Sequence, residues 1–115
     1  MVDVGGKTAT RRTASARAVV EFPPEVMTEL RRTAPENDLA GPKGPVFTTA
    51  VVAGVQAAKR TWELIPLCHP LPIQGITVNC SIQGDTVEVL CSVKTFHTTG
   101  VEMEALTGAA VAALT

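Results

Sequence analysis

The segment Ile76–Lys94 restricts the fold more than any other part of the chain. Ile76, Val78, Cys80 and Ile82 alternate with Thr77, Asn79, Ser81 and Gln83. After Gly84-Asp85, the residues Val87, Val89, Cys91 and Val93 alternate with Glu88, Leu90, Ser92 and Lys94. Successive strand side chains point to opposite faces, so a period of two means one buried face and one wet face. Gly-Asp between two such runs marks a hairpin.

The other segments have different periods. Arg17–Phe22 is a short strand candidate that Pro23-Pro24 stops, and Pro24 suits the first turn of a helix. That helix runs through Val26, Met27 and Leu30 to about Arg32. Val46–Trp62 carries Ala50, Ala53, Ala57 and Ala58, with Lys59-Arg60 near its end. It predicts a buried helix with a small-residue face and a basic last turn. Between Leu64 and Pro72 stand Pro66, Pro70 and Pro72, so this stretch is an extended, rigid link and neither helix nor central strand. A last helix, capped by Thr98 or Thr99, has Val101, Leu106, Ala109, Ala110, Ala113 and Leu114 at helical spacing. Residues 1–16 are polar and aperiodic and predict an irregular arm. Residues 33–45, rich in Gly and Pro, predict a loop, and long ordered loops often carry function.

The resulting order is strand, helices, strand, strand, helix. A ferredoxin-like split βαβ unit runs β-α-β-β-α-β, so the expectation is an α+β fold with an antiparallel sheet and helices on one face. The final strand is missing from this order. The periodic helix also reaches Thr115 with no Gly, Asn or Pro to end it. The expectation is one domain over residues 1–115 that is incomplete at its C-terminus.

Composition narrows the function. Ten basic and eleven acidic side chains give a net charge of −1. No basic excess is present to hold a phosphate backbone, so a nucleic-acid partner is not expected. No apolar run approaches a membrane span, and no secretory signal opens the chain, so no membrane partner is expected. Aromatic residues make up only 3%, and the apolar content is mostly Ala, Val, Leu and Ile. Small side chains bury little area each, which favours burial against other copies of the chain. Cys68, Cys80 and Cys91 are odd in number and lack a disulfide-framework spacing, which fits a reducing cytoplasm.

Few residues have chemistry to offer. Gly6-Lys7-Thr8 lacks the earlier glycine and the preceding strand of a phosphate-binding loop, and is set aside. His69 sits on the proline-stiffened link. It is either a general acid/base or phosphate donor, or a histidine bonded to backbone in a turn. Cys68 and His69 are adjacent in an extended segment, so they do not form a nucleophile pair. Cysteine spacings of this kind do not make a zinc site, and no metal is expected. His97, just before the last helix, is a weak signal beside these. Lys43, between glycines and prolines, is either a phosphate or proton-transfer lysine or a solvated loop lysine. Lys59-Arg60 is helix-terminal charge first and ligand contact second. Glu102 and Glu104 fall about 200° apart on a helix. Glu102 then lies with Leu106, Ala109 and Ala113 beside the apolar stripe, and Glu104 lies with Thr107, Gly108 and Val111. A glutamate beside that stripe needs a partner if buried.

The stretch Ala57–Leu71, with Lys59-Arg60-Thr61-Trp62 and Pro66-Leu67-Cys68-His69-Pro70 at its centre, resembles a signature of the cyclic pyranopterin monophosphate synthase family. These are the molybdenum-cofactor biosynthesis proteins C. Thr99–Thr107 resembles the family's second signature, and Met1-Val2-Asp3-Val4 its N-terminus. The resemblance implies a ferredoxin-like fold and a homohexamer, a trimer of dimers, with active sites at subunit interfaces. It implies a lyase-class reaction on 3′,8-cyclo-7,8-dihydroguanosine 5′-triphosphate, giving cyclic pyranopterin monophosphate and pyrophosphate. By the same likeness Lys43 and His69 are catalytic. Leu67, Cys68, His69, Glu102, Met103 and Glu104 bind substrate. No redox step occurs in this scheme, so no cofactor is expected. Pro45 stands where the family usually has Asp, and the family's catalytic Asp and Lys fall beyond Thr115. The alternative reading is a non-catalytic homologue that binds a purine-triphosphate-like ligand.

Overall fold

A computed structural model describes Gly6 and residues 8–33, 40–41 and 44–115. Its elements are β1 (Thr10–Glu21), α1 (Pro24–Thr33), β2 (Ala40–Gly41), β3 (Gly44–Pro45), α2 (Val46–Lys59), α3 (Thr61–Leu64), β4 (Ile73–Gln83), β5 (Thr86–His97) and α4 (Glu102–Leu114).

The alternating hairpin forms as its period requires. Across it Ile76 faces Val93, Val78 faces Cys91, Cys80 faces Val89 and Ile82 faces Val87. Gly84 takes φ 59° in the turn, a conformation that costs any residue with a side chain. β5 is the central strand, with β4 on one side and β1 on the other, both antiparallel. In order of appearance the sheet therefore runs first, third, second strand. That order, and its directions, are those of the first three strands of a ferredoxin-like unit. The chain is α+β, as its sequence pattern implies.

The expected arm over residues 1–16 is corrected from Thr10 onward. β1 begins there and pairs with β5 along its whole length, from Thr10 opposite His97 to Glu21 opposite Thr86. Thr, Ala, Arg and Ser are weak strand formers alone, but strand preference is set largely by cross-strand neighbours. Ala14, Ala16 and Ala18 extend the apolar rows of Val93, Cys91 and Val89. On the opposite face Ser15 and Ser92 share a 2.7 Å hydrogen bond, and the Arg17 guanidinium donates to the Glu88 carboxylate. The loop expected over residues 33–45 also contains a two-rung ribbon, in which Ala40 pairs with Pro45 and Gly41 with Gly44.

Helices α2 and α4 pack on each other; α4 also lies against β1 and β5, and α2 against β4. They meet through small residues. A β-carbon on Gly54 would stand 3.0 Å from the Gly108 carbonyl oxygen and 3.2 Å from Val78 Cγ2. One on Gly108 would stand 2.6 Å from Cys91 Sγ. This close approach decides which face of α4 is buried. Glu104, Ala105, Thr107, Gly108, Ala109 and Ala112 turn inward. Leu106 and Leu114, expected in the apolar stripe, are 53% and 86% exposed. A leucine is too large for the gap, so the inner face is chosen by smallness rather than by hydrophobicity. At the far end of the sheet, Arg31 in the last turn of α1 donates to the Gly84 carbonyl and to the Asp85 carboxylate.

Candidate active site

The site forms where the link after α2 meets the start of α4. α2 does not continue to Trp62 as one helix. It ends at Lys59, and the Arg60 N–H donates to the Gln56 and Ala57 carbonyls. Thr61 is buried, and its hydroxyl reaches back to the carbonyls of Ala57 (3.1 Å) and Ala58 (3.0 Å). Ser and Thr hydroxyls that bond backward in this way bend a helix. The bend starts α3, which packs on α4. The chain then crosses the proline-rich link. The Cys68 N–H donates to the Ile65 carbonyl at 3.4 Å, and the Thr95 hydroxyl of β5 donates to the Pro72 carbonyl. Both ends of the link are thereby fixed.

Leu67 holds φ 68° and is 77% exposed. A left-handed leucine costs on the order of 1–2 kcal/mol. Strain of this kind clusters where a loop presents side chains to a ligand. Cys68 and His69 follow directly, both half-buried.

Within electrostatic reach of Cys68 is the first turn of α4. The expected caps, Thr98 and Thr99, do not form. Val101 is the N-cap and gives no side-chain bond. The Thr98 hydroxyl lies 3.4 Å from His97 Nδ1, and the Thr99 hydroxyl turns to the Gly100 carbonyl. Glu104 is buried, at 5% exposure, while Glu102 and Met103 are exposed. The assignment from helical spacing is thus reversed: Glu104 lies on the packed side and Glu102 faces out. Burial pushes the Glu104 carboxyl up, its own backbone N–H pulls it down, and the negative charge of Glu102 pushes it up further. Burial also raises the Cys68 thiol, and the Glu104 carboxylate raises it again. Cys68 on the link and Glu104 on α4 thus share one electrostatic neighbourhood.

The chain matches the family model described as MoaC family over residues 1–115. The chain belongs to this family. A protein of Xanthomonas oryzae pv. oryzae named cyclic pyranopterin monophosphate synthase is 52% identical over 116 residues, taking in 100% of this chain and 68% of its own length. One of Streptomyces avermitilis with the same name is 50% identical over 115 residues and is covered over 64% of its length. A Dictyostelium discoideum protein named molybdenum cofactor biosynthesis protein 1 is 43% identical over 128 residues, which cover 20% of it.

In this MoaC chain the two signature blocks approach each other at Cys68 on the link, flanked by Leu67 and His69, and Glu104 at the start of α4, preceded by Glu102 and Met103. Lys43 lies outside the described residues. Among the described residues, no cluster of three or more His, Cys, Asp or Glu side chains could hold a metal ion. No helix among them is long and apolar enough to cross a membrane. None of the three cysteines is in a disulfide. Two features escaped the sequence reading. One is Thr61, whose hydroxyl sets the bend before the link; its signal was a threonine placed just after a basic helix end. The other is an open groove of ≈ 470 Å³ beside the link, between Lys59, Leu71, Ile73 and Ile76. The groove gives Lys59 a concave setting that its place in the last helical turn does not reveal.

Proposed function

We propose that this chain is a cyclic pyranopterin monophosphate synthase acting in molybdenum cofactor biosynthesis. It converts 3′,8-cyclo-7,8-dihydroguanosine 5′-triphosphate to cyclic pyranopterin monophosphate and pyrophosphate. The reading is carried by Cys68 of one signature block lying within electrostatic reach of the buried Glu104 of the other. Family membership and the names of the relatives support it.

Forming a cyclic monophosphate from a triphosphate joins a sugar hydroxyl oxygen to the α-phosphorus. The bond to the β-phosphate breaks, and pyrophosphate leaves. The hydroxyl proton needs an acceptor, and the leaving group needs cationic contact. A carboxyl whose hold on a proton is strengthened by burial is suited to keep or pass one, and Glu104 is such a group. Lys43 does acid/base or phosphate work, and His69 and Glu102 orient the substrate.

Exposed Leu67, Leu106 and Leu114 support assembly with further copies. The reading takes this assembly as a hexamer, a trimer of dimers, in the cytoplasm. Its partner is a small molecule rather than a nucleic acid or a membrane, and the near-neutral charge supports that choice. Lys43→Ala is expected to lower turnover about a hundredfold or more, read as pyrophosphate release. Full retained turnover would remove Lys43 from the site.

A further inference from the structure

The turn between β5 and α4 contains a glycine whose backbone does not explain it. Gly100 has no left-handed φ; Gly84 is the glycine with φ above zero among the described residues. A β-carbon at Gly100 would collide with both carboxylate oxygens of Glu102 and stand 2.7 Å from its carboxyl carbon. The nearest obstacles are all one side-chain tip. The space that a side chain at position 100 would fill is taken by the Glu102 carboxylate.

This differs from Gly54 and Gly108, where a β-carbon meets backbone or the buried core. Glu102 is exposed, and no hydrogen bond or ion pair among the described residues holds its carboxylate. A long exposed side chain of this kind ordinarily samples many rotamers. Here the vacancy at Gly100 lets it fold back over the turn.

We propose that Gly100 is a positioning residue for the site, its missing side chain being the berth of the Glu102 carboxylate. With the berth open, Glu102 lies against the β5–α4 turn, from where its charge acts on Glu104. With the berth filled, Glu102 swings to solvent and the two carboxylates separate. The effect on Glu104 agrees with this geometry, since the charge of Glu102 raises its carboxyl. Cys68, on the link, is the other titratable group coupled to Glu104.

The catalytic part of the inference rests on the synthase reading; the geometric part does not. The test therefore has two arms, both on the full chain. In the first, carbon NMR follows the titration of Glu104 in the wild type, Gly100→Ala, Glu102→Gln and the double variant. Gly100→Ala is expected to lower the Glu104 midpoint in the direction Glu102→Gln does, with no further change in the double variant. The colliding group is the end of a flexible side chain, so the melting temperature is expected to hold. An unmoved Glu104 midpoint in Gly100→Ala, or a shift that adds to that of Glu102→Gln, overturns the proposal.

In the second arm, kcat/KM is expected to fall about tenfold to a hundredfold in Gly100→Ala. The double variant Gly100→Ala with Glu102→Gln is expected to lose no more than Glu102→Gln alone. Gly100→Ala with Glu102→Asp is expected to recover part of the loss, since the shorter side chain clears the new methyl group. Additive losses, or losses that track a lowered melting temperature, overturn the positioning role. If the wild type has no synthase activity, the titration arm still decides the berth.

Discussion

Glu104 shows how burial becomes chemistry at the scale of one residue. Its carboxyl is pushed above the ordinary value of 4.5 by burial first. The folded chain therefore binds this proton more tightly than the unfolded chain does. The resulting stabilisation is complete below the ordinary value and is lost as pH rises through the raised one. Glu104→Gln removes that loss. Urea unfolding across the acid range is expected to show wild-type stability falling over this window relative to Glu104→Gln, which is steadier. Parallel pH profiles for the two proteins would contradict the assignment. Both glutamates were visible in the sequence as candidates, but their sides were not. The helical spacing was anchored on Leu106, whereas the packed face was selected by Gly108 and the alanines.

At the scale of elements, the molecule depends on how closely α2, α4 and the sheet approach. Gly108→Ala places a methyl group against Cys91 Sγ, which is fully buried. Overpacking of this kind costs about 1–3 kcal/mol, against about 1 kcal/mol gained in helix propensity. The variant is expected to be less stable in chemical denaturation. Cys91→Ala in the same chain is expected to restore part of the loss, because it empties the space the methyl group needs. If Cys91→Ala adds a further independent loss, the two groups do not compete for one space. The hairpin was legible because period two is unambiguous when valine and isoleucine carry it. β1 was legible only from Arg17, because Thr10–Ala16 holds no large apolar residue. Its order comes from twelve residues of β5 that offer a complete partner, a long-range fact that no local window contains. The bend at Thr61 was hidden for a related reason: its hydroxyl bonds to backbone already inside the preceding helix.

On the scale of the whole molecule, the sheet is long and its helical cover is short. The Cα radius of gyration is 16.1 Å and the extents are 54 × 23 × 21 Å. A compact domain of this size has a radius of gyration of about 13 Å. The elongated shape leaves Leu67, Leu106 and Leu114 outside the core. Low aromatic content had already pointed to a thin core, and the exposed leucines show where the missing burial falls. Sedimentation is expected to find an assembly larger than one chain, and Leu106→Glu is expected to shift it toward smaller species. A wild-type chain that sediments as a monomer at all concentrations would contradict this. Synthase activity of this chain is the proposal. It is tested most directly by supplying the chain with 3′,8-cyclo-7,8-dihydroguanosine 5′-triphosphate and following products by mass spectrometry. The account predicts cyclic pyranopterin monophosphate and pyrophosphate in equal amounts, lost together in Lys43→Ala. Bound but unchanged triphosphate would contradict it and favour the non-catalytic homologue.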